Sequence, residues 1–468
     1  MRQYLAMTLG GAAAALMAGG VCPQGAAAQA MLAICPAGQA IPAARRLPLN
    51  ATGNAPSDLI LAEAGAALSP DCQGLRLPFP PGAIRWLGVL PGNAATGDRL
   101  AITTREQSGE IVGIEEDKPS APRSSRPMPP RQAPAGVALP KRPAAWAWDP
   151  QGWRDDAAAL IAAASRLGVG VLYISVPSSG GEVSDAAALA EFILRCREAG
   201  IEVYAVEGDP RMVTDEGLVL ATSRARALAA YRATHPHASL AGMQYDIEPY
   251  LLASFSAAPE AAWMRWSTAL HTLSNALGEP VDAVIPYWIE DSPGGEAALI
   301  AARPALRCIT IMAYRTAPDA IMDAAAPALI FAERAGLPAT VGLEAGPIAQ
   351  ERRNIFRRAA SATGELHLAT LGGVTAALLL DAPQTESGTR AFRKSHSVPS
   401  DPARVTFFGR ASQLFEVAGT LATTLTAYPA AQRIAFHGLT EFEPRKTHDI
   451  ETQEEPGHDT RRENTAHR

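Results

Sequence analysis

The sequence predicts a (β/α)₈ barrel, a TIM barrel in the α/β class, preceded by a small β-rich module, and three observations carry that expectation. Over roughly 300 residues eight apolar runs alternate with helical patterns, the strand count of such a barrel. The runs are near-continuous, as at 169–176, and so suit strands covered on both faces. The competing fold is a doubly wound open sheet, which normally carries a glycine-rich phosphate turn after its first strand. Here that turn reads Asp149-Pro150-Gln151-Gly152-Trp153 and lacks the pattern.

The chain has 468 residues, 47% of them apolar and 19% charged, ample for a large core. A net charge of −6 offers no basic excess, so nucleic acid is not an expected partner. Residues 1–30 read as a signal peptide: Arg2, an apolar stretch over 5–21, then Ala28-Gln29-Ala30 with cleavage expected after Ala30. Export, to the periplasm or outside, follows as an expectation. No later apolar run reaches the length of a membrane span. Of the remaining cysteines, Cys35 and Cys72 are expected to pair, since export permits disulfides. Cys196 and Cys308 read as small buried hydrophobes. No cysteine–histidine spacing suggests a metal site, and no motif asks for a cofactor.

Residues 31–113 form the first unit, with short strands around 59–61, 84–90 and 99–103 between Pro/Gly turns. It could bind glycan or protein, and nothing in it looks catalytic. Residues 114–144 are a proline-rich linker with few large apolar side chains. The barrel spans 145–444, with strands expected at 146–148, 169–176, 201–206, 240–248, 281–288, 308–314, 339–344 and 433–437. Between them run helices over 155–167, 185–199, 215–234, 258–277, 296–302, 320–335 and 411–426, Asp185 capping the second and Gly200 ending it. The stretch 351–404 is less regular and suggests an inserted hairpin, and 445–468 is polar enough to be a disordered tail.

In strand four, Met243, Tyr245 and Ile247 alternate with Gln244, Asp246 and Glu248, so three polar side chains share one face. Two carboxylates held together raise the pKa of at least one, a cost that a catalytic site would explain. In such barrels active residues gather at the C-terminal ends of the strands. Those ends offer Trp148 and Asp149, Glu207 and Asp209, Tyr287 and Trp288 (with Glu290 and Asp291 beyond), Tyr314 and Arg315, Glu344, and His437. Carboxylates with aromatic rings and no metal cluster suit sugar chemistry, where rings stack on pyranose faces and paired acids serve an oxocarbenium-like transition state. Each candidate also has a plainer role. Glu207 and Asp209 can cap loops, Trp148 and Trp288 can be core, Arg315 can pair with an acid such as Glu344, and Gln244 can hydrogen-bond Asp246.

Asp246-Ile247-Glu248 with the later Met312-Ala313-Tyr314 resembles the chitinase-type (family 18) glycoside hydrolases. Their fourth strand carries D-x-x-D-x-D-x-E and their sixth M-x-Y. The resemblance implies Glu248 as general acid, Asp246 as partner of a substrate acetamido group and Tyr314 as its helper. The two earlier aspartates of that motif fall on Ala241 and Gln244. The strands are also similar to exported bacterial barrel proteins with D-I-E-P-Y and a later M-A-Y-R-T, a likeness that implies no particular activity. A second resemblance, to retaining barrel glycosidases with glutamates ending strands four and seven, implies Glu248 as acid/base and Glu344 as nucleophile, about 5–5.5 Å apart. The expected function is cleavage of a glycosidic bond in an oligo- or polysaccharide. The alternatives are a non-catalytic carbohydrate-binding protein or an envelope scaffold on a degenerate barrel.

Overall fold

A computed structural model describes residues 29–37, 44–49, 57–90, 97–117, 131–133, 137, 139–252, 254–255 and 258–438. Most of the expected signal peptide, the middle of the proline-rich segment and the expected tail at 445–468 lie outside them.

Eight parallel strands close into a barrel: Ala144–Ala147, Val171–Ser175, Glu202–Glu207, Met243–Tyr245, Val281–Pro286, Leu306–Met312, Ala339–Glu344 and Ala431–His437. The last pairs with the first, Ala435 opposite Ala144, and shuts the ring. Helices cover the outside. On the helix Asp215–Thr234, Ala221, Ala225, Leu228 and Tyr231 recur at helical spacing and are buried against the strands. The outward side chains of strand four (Met243, Tyr245 and Ile247) share one large core with Trp263, Trp266 and Leu270 of the helix Pro259–Leu277. Each such side chain, fully buried, contributes about 1.5–3 kcal/mol. The barrel interior is a separate cluster that includes Trp146, Tyr173, Val206, Val284 and Met312, with Trp146 stacked on Tyr173 at 5.5 Å between centroids.

Strand four is shorter than its alternation predicts. The Asp246 amide still donates to the Glu207 carbonyl at 2.8 Å, but Pro249 has no N–H and opens a 3₁₀ turn, Pro249–Leu251. The ladder ends at Tyr245, with the Asp246 amide making the last bond to strand three, and the chain turns away at Pro249. The expected helix 155–167 is two pieces, Gln151–Asp155 and Ala157–Arg166, because the Asp156 side chain accepts from the Ala159 amide and starts a new helix. Asp185 sits at the start of Ala186–Glu198 without capping it, since its carboxylate pairs with Arg154 at 2.7 Å. At the far end Gly200, at φ 70°, ends that helix as expected.

The N-terminal residues build two antiparallel sheets. Arg45–Leu49, Ser57–Glu63, Ala30–Pro36 and Gln73–Leu77 lie side by side in that order, and Cys35 is disulfide-bonded to Cys72. Ala30, the expected last residue of the signal peptide, opens its strand. The second sheet has seven strands. Ile84–Leu90 lies at one end, Arg99–Arg105 and Ile111–Glu116 at the other, and between them come Val374–Thr385, Thr363–Leu371, Arg390–Pro399 and Glu351–Arg358. The insertion after barrel strand seven is thus four strands rather than a hairpin, and it completes the N-terminal sheet. Near the end of the proline-rich segment, Arg142 donates to the carbonyls of Gly168, Val169 and Gly200 at the N-terminal end of the barrel. Cys196 is buried in its helix, and Cys308 is half-buried in strand six.

Candidate active site

Asp246 and Glu248 leave strand four at its C-terminal end, where the barrel opens. Gly208, at the end of strand three, lies so close to Asp246 that a Cβ there would sit 3.0 Å from the Asp246 Cβ. That close approach, together with the Glu207 carbonyl, sets the Asp246 backbone. Among the described residues no arginine, lysine or histidine forms an ion pair with either carboxylate. Asp246 Oδ1 is buried without a hydrogen-bond partner. Burial first, and the charge of Glu248 second, hold the Asp246 carboxyl well above the usual carboxylate range.

Two phenols converge here. Tyr250, carried back by the 3₁₀ turn, donates its hydroxyl hydrogen to Glu248 Oε1. Its ring is held edge-on to Trp288 at 4.9 Å and lies 6.2 Å from Trp263 and 6.4 Å from Phe255. Tyr314, at the end of strand six, has its phenol pushed up by burial and then by the charges of Glu344, Asp246 and Glu248, which places all three acids around it. Trp148, Tyr250 and Tyr314 all pack onto the interior cluster from the open end.

Glu344 is held differently. It is 4% exposed, and its Oε1 accepts from the Gly346 amide at 2.6 Å and from His437 Nδ1 at 2.9 Å. The indole N–H of Trp148 points at His437 Nε2 at 3.0 Å. An indole nitrogen only donates, so Nε2 must carry the lone pair and Nδ1 the hydrogen. His437 is therefore the neutral tautomer, donating to an ionised Glu344. Burial alone would push the Glu344 carboxyl up, but the hydrogen bond and electrostatic attraction of His437, followed by the Gly346 amide, bring it below its ordinary value.

The other candidates divide. Gln244 does not reach Asp246. It is fully buried inside the barrel, accepting from Trp146 Nε1 at 2.6 Å and donating to Thr310 Oγ1 at 3.1 Å. Arg315 donates to the Tyr314 carbonyl at 2.7 Å and to the Tyr287 hydroxyl at 2.5 Å, over whose ring it lies, so it partners aromatics rather than an acid. Trp288 supports Tyr250. Asp149 accepts from the Gln151 amide at 2.9 Å and caps its turn. Asp209 caps Arg211 in the same way, and Glu207 is ion-paired to Arg224 on the outer helix. The geometry thus gathers Asp246, Glu248 and Tyr314, with Glu344, His437 and Trp148 in a chain alongside. It adds one residue outside the candidate list, Tyr250, whose signal was the proline directly after Glu248. Among the described residues no group of histidines, cysteines and acids could hold a metal ion.

No family model matches the chain, and no curated protein matches it. Solved structures similar to it include chitinases and β-1,4-mannanases. A chitinase from Rhizomucor miehei is 12% identical with a TM-score of 0.33, over 63% of this chain and 94% of that one. The spore cortex-lytic enzyme SleL of Bacillus cereus is 12% identical with a TM-score of 0.35, over 65% and 72%. A GH113 β-1,4-mannanase is 9% identical with a TM-score of 0.36, over 64% and 88%. At these identities and TM-scores the likeness carries no argument about what this chain does.

Proposed function

We propose that this barrel hydrolyses a glycosidic bond in an oligo- or polysaccharide, with Glu248 as general acid and Asp246 and Tyr314 holding the sugar or its 2-substituent. The observation that carries the reading is the Asp246–Glu248 pair. Two carboxyls stand at the barrel mouth with no cation paired to either among the described residues, and burial and then the charge of Glu248 push the Asp246 carboxyl up. Such a pair keeps a proton and a negative charge side by side near neutrality, the combination that glycoside cleavage uses. As the anomeric C–O bond breaks, the proton passes from Glu248 to the leaving oxygen. Asp246 and Tyr314 steady the positive charge that grows on the sugar side. Water then adds to the anomeric carbon and its proton returns to Glu248.

The burial of Glu344 and its bonds to His437 and Gly346 support a structural role for it rather than a nucleophile's, so the substrate-assisted course is favoured and N-acetylated sugars are the first to test. The experiment is Glu248→Gln against the unaltered protein on chito-oligosaccharides and mannan oligosaccharides, reading new reducing ends. Loss of turnover with an unchanged melting temperature is expected, and unchanged turnover would end the assignment. A second reading, a carbohydrate-binding barrel without catalysis, is favoured by Gln244, which stands in the strand-four motif where the resembling hydrolases have an aspartate and is fully committed to Trp146 and Thr310. Oligosaccharide binding by calorimetry without reducing-end release would decide for it. Export is part of the proposal, supported by the signal-like N-terminus and the Cys35–Cys72 disulfide. The mature N-terminus of exported protein, measured by mass spectrometry, checks it.

A further inference from the structure

We propose that Tyr250 is the positioning residue for Glu248: its hydroxyl holds Oε1 of that carboxyl, so that Oε2 is the oxygen that carries the transferable proton. The inference rests on the reading of Glu248 as general acid and deepens it.

The Tyr250 hydroxyl donates to Glu248 Oε1, and among the described residues no other hydrogen bond reaches that carboxyl. Tyr250 has little freedom to leave. Its ring is wedged among Trp288, Trp263 and Phe255, and Trp263 is itself fixed by an indole hydrogen bond to Ser292 Oγ at 2.7 Å. The turn that brings it back begins at Pro249, whose ring narrows the backbone at that point. The groups that face Glu248 are Asp246 from its own strand end, Tyr250 from the turn and Tyr314 from strand six, with Glu344 behind Tyr314. None is a cation. Tyr250 is therefore the one described donor on a carboxylate that sits beside a second acid.

A carboxyl accepting at Oε1 presents its proton on Oε2, which gives the proton a fixed direction. As the proton leaves Oε2 for the leaving oxygen, Glu248 becomes an anion and the bond from Tyr250 strengthens, because hydrogen bonds to ionised acceptors are the stronger ones. The interaction thus grows between ground state and transition state, which is what accelerates a reaction. The Tyr250 proton stays on Tyr250 throughout. The same bond favours the ionised form of Glu248, so its removal raises the pH at which Glu248 titrates.

The test is Tyr250→Phe, which keeps the ring among its aromatic neighbours. Carbon-13 glutamate NMR reads the Glu248 titration, with the resonance assigned by its disappearance in Glu248→Gln. Phenylalanine should move the Glu248 midpoint up, since the lost bond favoured the ionised form. Turnover of an unactivated oligosaccharide should fall about 10–100-fold with little change in KM. A nitrophenyl glycoside, whose leaving group needs little protonation, should lose far less. Fluorotyrosine placed at position 250, a stronger donor, should move the midpoint down. An unmoved midpoint in both variants, or an equal loss on both substrates, overturns the proposal. If the unaltered protein cleaves neither substrate, the general-acid reading fails on that result, and the NMR midpoints alone decide whether Tyr250 controls Glu248.

Discussion

Replacing His437 by leucine tests whether Glu344 is held as an anion by the Trp148–His437–Glu344 chain. Leucine fills similar space and offers no hydrogen. Glu344, 4% exposed, would keep the Gly346 amide and lose the other donor to its Oε1. Loss of a hydrogen bond to a charged group costs about 1.5–3 kcal/mol, and leaving the half-buried Trp148 N–H without its partner adds about 1. The sum is about 2.5–4 kcal/mol. The pH dependence gives a sharper test. In the native protein the Glu344 carboxyl lies below its ordinary value, so its stabilisation is present above the unfolded value and is lost as pH falls through the folded one. In the leucine variant burial is no longer outweighed, and the carboxyl moves above its ordinary value. The variant then loses stability as pH rises from the unfolded value through the raised folded one. Urea unfolding followed by tryptophan fluorescence should show a deficit that is largest at pH 7–8 and shrinks toward pH 4. A deficit below about 1 kcal/mol, or one that is the same at both ends, would refute the buried-anion argument.

Two further outcomes follow from the same physics. The Asp246 carboxyl is raised by burial and by Glu248, so the native fold loses stability as pH climbs from its unfolded to its folded value; Asp246→Asn should raise the melting temperature at pH 8, not at pH 3.5, while lowering activity, and an equal offset at both pH values would count against it. Cys35 and Cys72 are 37 residues apart, a loop whose closure is worth about 3–4 kcal/mol to the N-terminal sheets, so Cys72→Ser and reductant should lower their melting transition alike, and a native transition indifferent to reductant would contradict this.

The barrel was legible because its signals are local. Each strand is a run that tertiary structure covers on both faces, and each helix repeats its apolar residues at a spacing that can be read within one element. The seven-stranded sheet was not legible for the complementary reason. Its strands from 84–116 and 351–399 are separated by most of the barrel, and the pairing of Phe356 with Leu100, or of Leu378 with Leu87, has no trace in either segment alone. An antiparallel pattern read one segment at a time suggests a hairpin, since the nearest partner in sequence is the only one visible. The shortened strand four is a related case. Alternation continues through Glu248, but the last sheet hydrogen bond is that of the Asp246 amide, and Pro249 then turns the chain away.

The site divides along the same line. Alternation put Gln244, Asp246 and Glu248 on one face, and they are on one face, but depth along the barrel axis gives them different chemistry. Gln244 lies at the level of Trp146 and Thr310, where a polar side chain must be satisfied by other interior groups, and it is. Asp246 and Glu248 lie at the mouth, past the last interior layer, where a carboxyl can stay without a cation. An aspartate at 244 would have been a buried charge between an indole donor and a hydroxyl, costly unless it shared a proton with Asp246. The glutamine removes that cost and with it one route for moving a proton away from Asp246. The acidity of the pair is then left to what surrounds Glu248, and among the described residues the one group bonded to that carboxyl is Tyr250.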